Sequence, residues 1–554
     1  MGYTARVGTP AAGGGGTARR TAIVLAAAAA VAALVGVRGD FPLSDDWSYA
    51  YTTRALCREG RLVFLPWVGA SLVLQAWYGA ALCALLGFSF EVLRASTLVL
   101  AAAGAVVFTL LVARLGARGR VLAVTVAALA LNPLWVSLSF TFMTDVPCTV
   151  AAIGAAYAYA RGLGERRLGL VVVGSVLAAA ALLIRQHGIL VAAAAALAAL
   201  AAGDRPLAAR LRAAAAATAL PVAAFVALHV WLLGHSGLPA GYAQKVGEAA
   251  GFTVASVVNC AFRGVMYLGL FTAPLLVGVR HPLDAWHPRL MRAALAAVVV
   301  LATALWLREG ALMFYLTNVL SDLGVGPLTL RDTQFLALGP VVQAGLALTL
   351  PLTAVAALGA ARLAATWLIG LGRWREPVPA FLLAATALTF AGTLLHARYY
   401  FDRYLLLVLP FALALIAVVR PLPAARPRPV VLALLLALYG VAGTHDYLAW
   451  NRARFAALAA LEAAGVPPAA IDGGVEYNAW RLAAALGTWP SDAEARPGQP
   501  PDRRSWWWVV DDRFVLSFRP LAGYTVRRDL AYRRWLPPGT GHVFVLERAV
   551  PAAR

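Results

Sequence analysis

Three aspartates beside apolar blocks have side chains and surroundings suited to chemistry. Asp45 and Asp46 lie in the stretch DFPLSDDWSY after the first apolar block, and Asp145 lies in FTFMTDVP before a later block. An ionised carboxylate can take the proton of an attacking hydroxyl or amine. Helix capping is the alternative, because Ser44 can cap a helix whose first turn holds both aspartates, and Asp145 can precede Pro147 at a helix start. Position by position, the sequence leaves both explanations open.

Arginines at the ends of other apolar blocks could bind an anionic group beside these carboxylates. Arg185, Arg398 and Arg403 have this position, and a guanidinium binds phosphate oxygens in bidentate fashion. Arginines at a membrane interface also extend into water merely to keep their charge hydrated, so this alternative stays open for each. His187 is excluded from the predicted catalytic set, because a lone histidine at a helix end is more often a structural hydrogen-bonding residue. Aromatic residues nearby, such as Trp67, are typical of a membrane interface.

The composition excludes a single soluble core. Of the 554 residues, 61% are hydrophobic and 13% are charged, and the mean hydropathy is +0.74, whereas soluble domains carry about a quarter charged residues. Apolar blocks of about 16 to 23 residues recur along most of the chain, long enough as helices to cross the hydrocarbon layer. The net charge of +21 comes almost wholly from arginine, since Lys245 is the only lysine. These arginines recur between apolar blocks and do not cluster, so no nucleic-acid partner is predicted.

The arginines between the blocks also predict the topology. Six connections each contain three arginines, beginning with Arg114, Arg118 and Arg120, and the positive-inside rule assigns all six to the cytoplasm. Of fourteen apolar blocks, thirteen then span the membrane, provided that the block at 66–87 lies in or re-enters the membrane from outside. A fourteenth spanning helix at 66–87 remains the alternative.

Three regions follow from this topology. Residues 1–20 are predicted to form a disordered cytoplasmic tail, 21–443 an all-α polytopic membrane domain, and 444–554 an extracytoplasmic domain. The last region has 11 acidic and 14 basic residues among 111, close to the charge density of a soluble domain. A helical pattern at 447–464 before Gly465, and apolar runs at 506–510 and 542–547 on either side of a loop at 491–504, predict a small α/β fold there.

Four motifs together resemble one known family. They are DDWSY after the first block, FMTDVP at Asp145, RQHG at Arg185 and RYYFDRY from Arg398 to Tyr404. They resemble bacterial glycosyltransferase family 39 of the GT-C superfamily, which includes protein O-mannosyltransferases and the lipid A aminoarabinose transferase. The resemblance covers about residues 40–410 and is strongest over 40–188. It implies a GT-C-like membrane domain of about thirteen helices, with juxtamembrane helices in the first outer loop.

The resemblance also implies roles for the aspartates and the partners of the protein. Asp45 matches the first-loop acidic residue that activates the acceptor, and Asp145 matches the second acidic residue of the family. Asp46 occupies a place where a longer glutamate often follows, and with Asp145 it is expected to orient acceptor or donor. The donor implied is a polyprenyl-phosphate sugar, and the acceptor a lipid, a glycan or a protein at the outer face of a bacterial inner membrane. Family members differ in their need for a divalent metal, so neither a metal ligand nor a cofactor is assigned.

The residue chemistry agrees with such a transfer. A phosphate leaves the anomeric carbon of a sugar without being protonated, so it needs only positive charge nearby, while the acceptor needs a base. One carboxylate, for which Asp45 is our candidate, and the phosphate-binding candidates Arg185, Arg398 and Arg403 would suffice for a single inverting displacement.

Two other classes of function remain as alternatives. A polytopic secondary transporter is of similar size, but ionisable residues are scarce at mid-membrane and no matched pair of broken helices appears in two halves of the sequence. A membrane assembly protein would use its outer domain to bind a partner. Substituting Asp45 and Asp145 would abolish glycan transfer in a transferase, whereas it would be silent in an assembly protein.

Overall fold

The structure, a computed structural model, describes residues 14–235, 237–248, 253–277, 318–321, 324–333, 345–397, 400–419, 427–486 and 511–549, with a few single positions between 296 and 307. The helices of the first half are α1 (Gly14–Val35), α2 (Asp46–Glu59), α3 (Val73–Leu86), α4 (Phe90–Arg114), α5 (Gly119–Ala130), α6 (Pro133–Ser139), α7 (Asp145–Glu165), α8 (Leu168–Ile184), α9 (Ile189–Ala201), α10 (Leu207–His235), α11 (Ala240–Glu248) and α12 (Val254–Leu276). Those of the second half are α13 (Leu346–Leu371), α14 (Pro377–Leu394), α15 (Leu409–Val419), α16 (Pro427–Ala463) and α17 (Val475–Leu486).

The predicted all-α membrane domain with a small C-terminal sheet region is confirmed. Among the described residues, eight helices are long and apolar enough to span a membrane, or nine if α5 and α6 form one bent span. The chain is therefore a multi-pass membrane protein. The count of thirteen stays a prediction, and most of the block predicted at 293–307 lies outside the described residues.

Local sequence explains where several helices begin and end. Between α5 and α6 the chain bends by 52°, because Pro133 has no N–H to continue the ladder and Asn132 restarts it by accepting the Leu134 N–H at 3.0 Å. Helix α3, within the block 66–87, has 14 residues and is about 21 Å long. That length is short of the roughly 30 Å hydrocarbon layer and favours the predicted juxtamembrane placement.

The first helix starts earlier than its predicted boundary. Helix α1 begins at Gly14, inside the tail predicted to be disordered up to residue 20, because residues 17–20 add alanine and arginine, which favour helix. Residues 1–13 lie outside the described part of the chain.

The C-terminal region packs its sheet against the polar half of α16. This helix continues without a break through residue 444, the predicted start of the outer domain, and the chain turns at Gly465 with a positive φ of 82°. The strands are β1 (Leu320–Ser321), β2 (Gly324–Val325), β3 (Ile471–Asp472), β4 (Phe514–Ser517), β5 (Tyr524–Trp535) and β6 (Pro538–Arg548).

Strands β1 and β2 form an antiparallel pair, and the other four form a sheet in the order β3-β4-β6-β5. In that sheet β3 and β4 are parallel, and the other pairs are antiparallel. The strand predicted at 542–547 is part of β6. The run at 506–510 and the loop at 491–504 lie outside the described residues.

A buried arginine joins the segment between α1 and α2 to the segment that leads into α7. Arg94 in α4 is 1% exposed, and it donates hydrogen bonds of 2.8 to 3.0 Å to the carbonyl oxygens of Phe140, Val37, Gly39 and Phe41. One side chain thus aligns two segments that are distant in sequence and lie beside Asp45 and Asp145.

Replacing Arg94 with methionine is expected to lower the free energy of unfolding by at least about 3 kcal/mol, because four buried carbonyl groups lose their donor. The measurement is the thermal unfolding midpoint of the purified protein in detergent. Arg58→Met, which removes an exposed arginine of α2, is the matched control and should leave the midpoint unchanged. Equal midpoints for Arg94→Met and the control would contradict this role.

Candidate active site

The side chain of Asp45 points away from the helix that it precedes. Asp45 is the N-cap residue of α2 but makes no side-chain capping bond, and Ser44, the predicted cap, has a left-handed backbone with φ 57°. Its carboxylate instead pairs with Arg403, with Oδ2 and Nη2 2.9 Å apart, and accepts a 3.2 Å hydrogen bond from Trp67 Nε1. The capping explanation is therefore wrong for Asp45, whose carboxylate is held in place by residues distant in sequence.

Asp46, the next residue, is buried and bound by backbone groups. Its two carboxylate oxygens accept the Leu43 N–H at 2.7 Å and the Phe142 N–H at 3.1 Å. Burial raises the pKa of this carboxyl to about 7, against the lowering effect of those two hydrogen bonds. Asp46 thus ties the segment between α1 and α2 to the segment that leads into α7, and it lies outside the lining of the cleft described below.

Asp145 forms a second carboxylate–arginine pair. It is the first residue of α7, and its Oδ1 binds Nη1 of Arg185 in a short ion pair. Arg185 follows α8 in extended conformation, which directs its side chain across to α7. Among the described residues, Oδ2 of Asp145 has no hydrogen-bond partner although it is buried. The carboxylate therefore has spare acceptor capacity beside the cleft.

Arg403 stands between the two carboxylates and is only partly satisfied. It lies in the 3₁₀ turn Asp402–Leu406, is 5% exposed and uses Nη2 on Asp45. Its Nε and Nη1 have no hydrogen-bond partner in the described part of the chain. Buried guanidinium donors left without a partner are costly, so the arrangement favours an anionic ligand that would accept from them. Arg398, the third predicted arginine, lies outside the described residues.

The preceding residue anchors this turn to the start of β1. Both carboxylate oxygens of Asp402 accept from the Val319 N–H, at 3.1 and 3.2 Å, and one also accepts from the Leu320 N–H at 2.6 Å. These hydrogen bonds hold the turn that contains Arg403 in place.

A cleft with an empty volume of about 330 Å³ opens between these groups. Its lining includes Asp145, Arg185, His187, Arg403 and Tyr404. Asp45 adjoins it through its ion pair with Arg403. The structure thus brings together four of the predicted site residues, Asp45, Asp145, Arg185 and Arg403, from four separate stretches of chain.

Sequence reasoning missed two residues of this cluster, Lys245 and Tyr404. Lys245 Nζ in α11 lies 3.3 Å from the Tyr404 hydroxyl. The cationic groups of Arg185, Lys245 and Arg403 lie 5.0, 5.8 and 5.9 Å from the centroid of the Tyr404 ring. The one sequence feature that could have drawn attention to Lys245 is that it is the only lysine of the chain. His187 lines the cleft with Nε2 3.2 Å from the Gly392 carbonyl oxygen, a structural contact of the predicted kind.

The donor set does not fit a divalent metal ion. No group of three His, Cys, Asp or Glu side chains with ligand geometry occurs among the residues that the structure describes. The two carboxylates nearest the cleft, Asp45 and Asp145, each face a guanidinium, which competes with a cation for the same oxygens. We therefore derive no step through a metal.

The described helices form a polytopic domain in which acidic and basic side chains meet at one cleft. Residues 73–231 match the family model described as dolichyl-phosphate-mannose-protein mannosyltransferase. Over that range the match agrees with the predicted resemblance. The matched range is less than a third of the chain; it includes Asp145 and Arg185 but neither Asp45 nor Arg403. A comparison with curated proteins gives no significant match.

Solved structures of two membrane enzymes are similar to this chain at low identity. The archaeal oligosaccharyltransferase AglB from Archaeoglobus fulgidus, in complex with an inhibitory peptide and a dolichol-phosphate, is 16% identical over 77% of this chain and 55% of its own, with a TM-score of 0.37. ArnT from Cupriavidus metallidurans bound to undecaprenyl phosphate is 15% identical over 77% of this chain and 78% of its own, with a TM-score of 0.33. The chain thus spans about half the length of the archaeal enzyme.

Proposed function

We propose that this protein transfers a sugar from a polyprenyl-phosphate donor to an acceptor at the extracytoplasmic face of a bacterial inner membrane. The observation that carries the proposal is the meeting of Asp45 and Asp145, each paired with an arginine, at a single cleft. The class of donor is supported by the matched family description, which names a dolichyl-phosphate-linked sugar. The acceptor is a lipid, a glycan or a protein.

The charges of the cluster suit a phosphate that leaves a sugar. Arg185, Lys245 and Arg403 bring three positive charges, and Asp45 and Asp145 bring two negative charges, so one positive charge is left over. A sugar phosphodiester carries one negative charge, and the departing polyprenyl monophosphate carries nearly two. Positive charge fixed in a buried site therefore stabilises the transition state more than the bound donor.

The spare donors of Arg403 provide the phosphate contacts. Its Nε and Nη1 are buried and have no partner among the described residues, and each can donate a hydrogen bond to a phosphate oxygen. A phosphate bound there draws the guanidinium charge toward itself and away from Asp45, the carboxylate on Nη2. Asp45 is then a stronger base at the moment when the acceptor hydroxyl or amine must lose its proton.

The proposed reaction is a single displacement with inversion at the anomeric carbon. The donor phosphate binds at Arg403 and Arg185, and Asp45 takes the proton of an acceptor that attacks from the face of the sugar opposite the phosphate. Asp145 has a free oxygen with which to orient a hydroxyl of donor or acceptor. Asp46 keeps the two outer segments in register.

The proposal is tested in proteoliposomes that contain the full-length protein, a polyprenyl-phosphate sugar and a candidate acceptor. Formation of a new glycosidic bond, detected by mass spectrometry with the anomeric configuration assigned by NMR, is the expected result. Substrate flux without bond formation would instead support the transporter. An inverted configuration supports the single displacement, and retention would refute it.

Lys245→Met is expected to raise the KM for the donor about tenfold while kcat falls less. The reason is that the ammonium group supplies charge to the bound phosphate but stands behind Tyr404, farther from the reacting centre than Arg403. Initial rates at varied donor concentration measure both constants. Lys245→Arg, which keeps the charge, is the control and should stay within about threefold of the wild type. An unchanged KM in Lys245→Met would show that Lys245 does not contribute to the phosphate site.

A further inference from the structure

A second, much larger cavity lies along the first helix. It is a groove with an empty volume of about 1950 Å³, and its walls are α1, α4, α5 and α6. Helix α1 is loosely packed, since only 6% of its most apolar stretch is buried. Helix α1 therefore lies at the edge of the bundle, and the groove runs between it and helices α4, α5 and α6.

The groove has the length and polarity of a lipid chain. Arg20 and Ala32 both line it, and the twelve residues between them span about 18 Å of helix, more than half of the roughly 30 Å hydrocarbon layer. Its walls are mostly alanine, valine and leucine. The hydroxyls of Thr109 and Ser139 are satisfied within their own helices by the carbonyls of Ala105 and Trp135, at 2.7 and 2.6 Å. Such walls favour hydrocarbon over water.

One end of the groove is cationic. Of the described residues that line it, only Arg19 and Arg20 are ionisable, and both stand at the end where α1 begins. Arg19 is exposed and Arg20 is half-buried, so both can reach a headgroup at the membrane surface. The opposite end is closed by Ser139 and Phe140. A long apolar channel with two positive charges at one mouth complements an amphiphile with a hydrocarbon chain and an anionic head.

We propose that this groove binds an anionic phospholipid, with its phosphate at Arg19 and Arg20 and one acyl chain along α1. The predicted topology assigns this end of α1 to the cytoplasmic leaflet. The site is distinct from the cleft at Asp145. Arg19 lies sixteen residues before Val35, the end of α1 that leads to Asp45, and this separation is about 24 Å along the helix. The lipid is therefore a bound component of the membrane domain and not the sugar donor.

The test compares two lipids on the full-length protein in a neutral detergent. Phosphatidylglycerol and phosphatidylcholine with identical acyl chains are titrated, and native mass spectrometry gives the affinity of the tightest-bound lipid. The wild type is expected to prefer phosphatidylglycerol about tenfold, the order of effect of two arginines on an anionic headgroup. Equal affinities for the two lipids would overturn the proposal.

Two variants locate the site. Arg19→Gln/Arg20→Gln should lower the preference to about twofold or less, whereas Arg212→Gln/Arg428→Gln, which removes two exposed arginines that do not line the groove, should keep it. Ala127→Phe fills the groove from α5 and leaves both arginines in place, and it should weaken the binding of both lipids. A tenfold preference that survives both Arg19→Gln/Arg20→Gln and Ala127→Phe would refute the site. Displacement of phosphatidylglycerol by equimolar polyprenyl phosphate would refute its assignment to a phospholipid.

Discussion

Asp45→Asn is expected to lower kcat for sugar transfer about 1000-fold, with the donor KM changed less than about threefold. Asparagine keeps one oxygen, which can accept from Arg403, but its amide nitrogen cannot accept from Trp67 Nε1, so one of the two hydrogen bonds is lost while the side chain keeps its size. It cannot take a proton, and a positioned general base contributes about 100-fold to 10,000-fold to the rate. The measurement is the initial rate of transfer in proteoliposomes at several donor concentrations.

Asp46→Asn is the matched control, because it changes the neighbouring carboxylate in the same way. Its two backbone partners, the N–H groups of Leu43 and Phe142, lose one strong acceptor, so we expect a lower unfolding midpoint with kcat within about tenfold of the wild type. If Asp46→Asn loses as much kcat as Asp45→Asn at equal stability, the two assigned roles are wrong. If Asp45→Asn keeps wild-type kcat, Asp45 is not the base.

Arg403→Met is expected to lower kcat/KM for the donor at least about 100-fold, the second largest effect in the protein. The substitution removes the two spare donors proposed to hold the leaving phosphate, and loss of one preorganised donor at developing negative charge costs about 100-fold to 1000-fold. Arg403→Lys should recover only part of the loss, because an ammonium keeps the charge without the bidentate fork. Steady-state transfer kinetics measure the loss of kcat/KM, and direct binding of polyprenyl phosphate measures the loss of affinity for the phosphate.

A paired arginine remote from the cleft provides the control for Arg403→Met. Arg373 forms an ion pair with Glu376 three residues along the chain, and Arg373→Met should leave kcat/KM unchanged. If the loss of kcat/KM in Arg403→Met disappears when rates are corrected for the folded fraction, Arg403 has only a structural role.

Sequence reasoning succeeded where a single physical pattern dominates. The apolar run predicted as a strand at 542–547 is part of β6, and Gly465 stands at the turn where α16 stops. The convergence of Asp45 and Asp145 was an inference from their common position at predicted outer ends of helices. In the structure Asp45 pairs with Arg403, and Asp145 and Arg403 line the same cleft.

Other features depend on contacts that no local pattern encodes. The backbone partner of Asp46 at Phe142 lies 96 residues along the chain, so the sequence DDWSY gives no sign that the second aspartate is bound by backbone and not free in the cleft. Lys245 lies in a short polar helix without a motif, and only the folded chain brings it to Tyr404. Ser44 has a side chain suited to capping, but its left-handed backbone gives α2 a different start.

The most direct test of the central claim is an electron cryomicroscopy structure of the full-length protein with polyprenyl phosphate bound. We predict phosphate density within hydrogen-bond distance of Arg403 Nε or Nη1, beside Arg185, with the Asp45 carboxylate facing the space where a sugar would lie. Phosphate bound at the other end of the helices, with Arg403 still paired only to Asp45, would contradict the account.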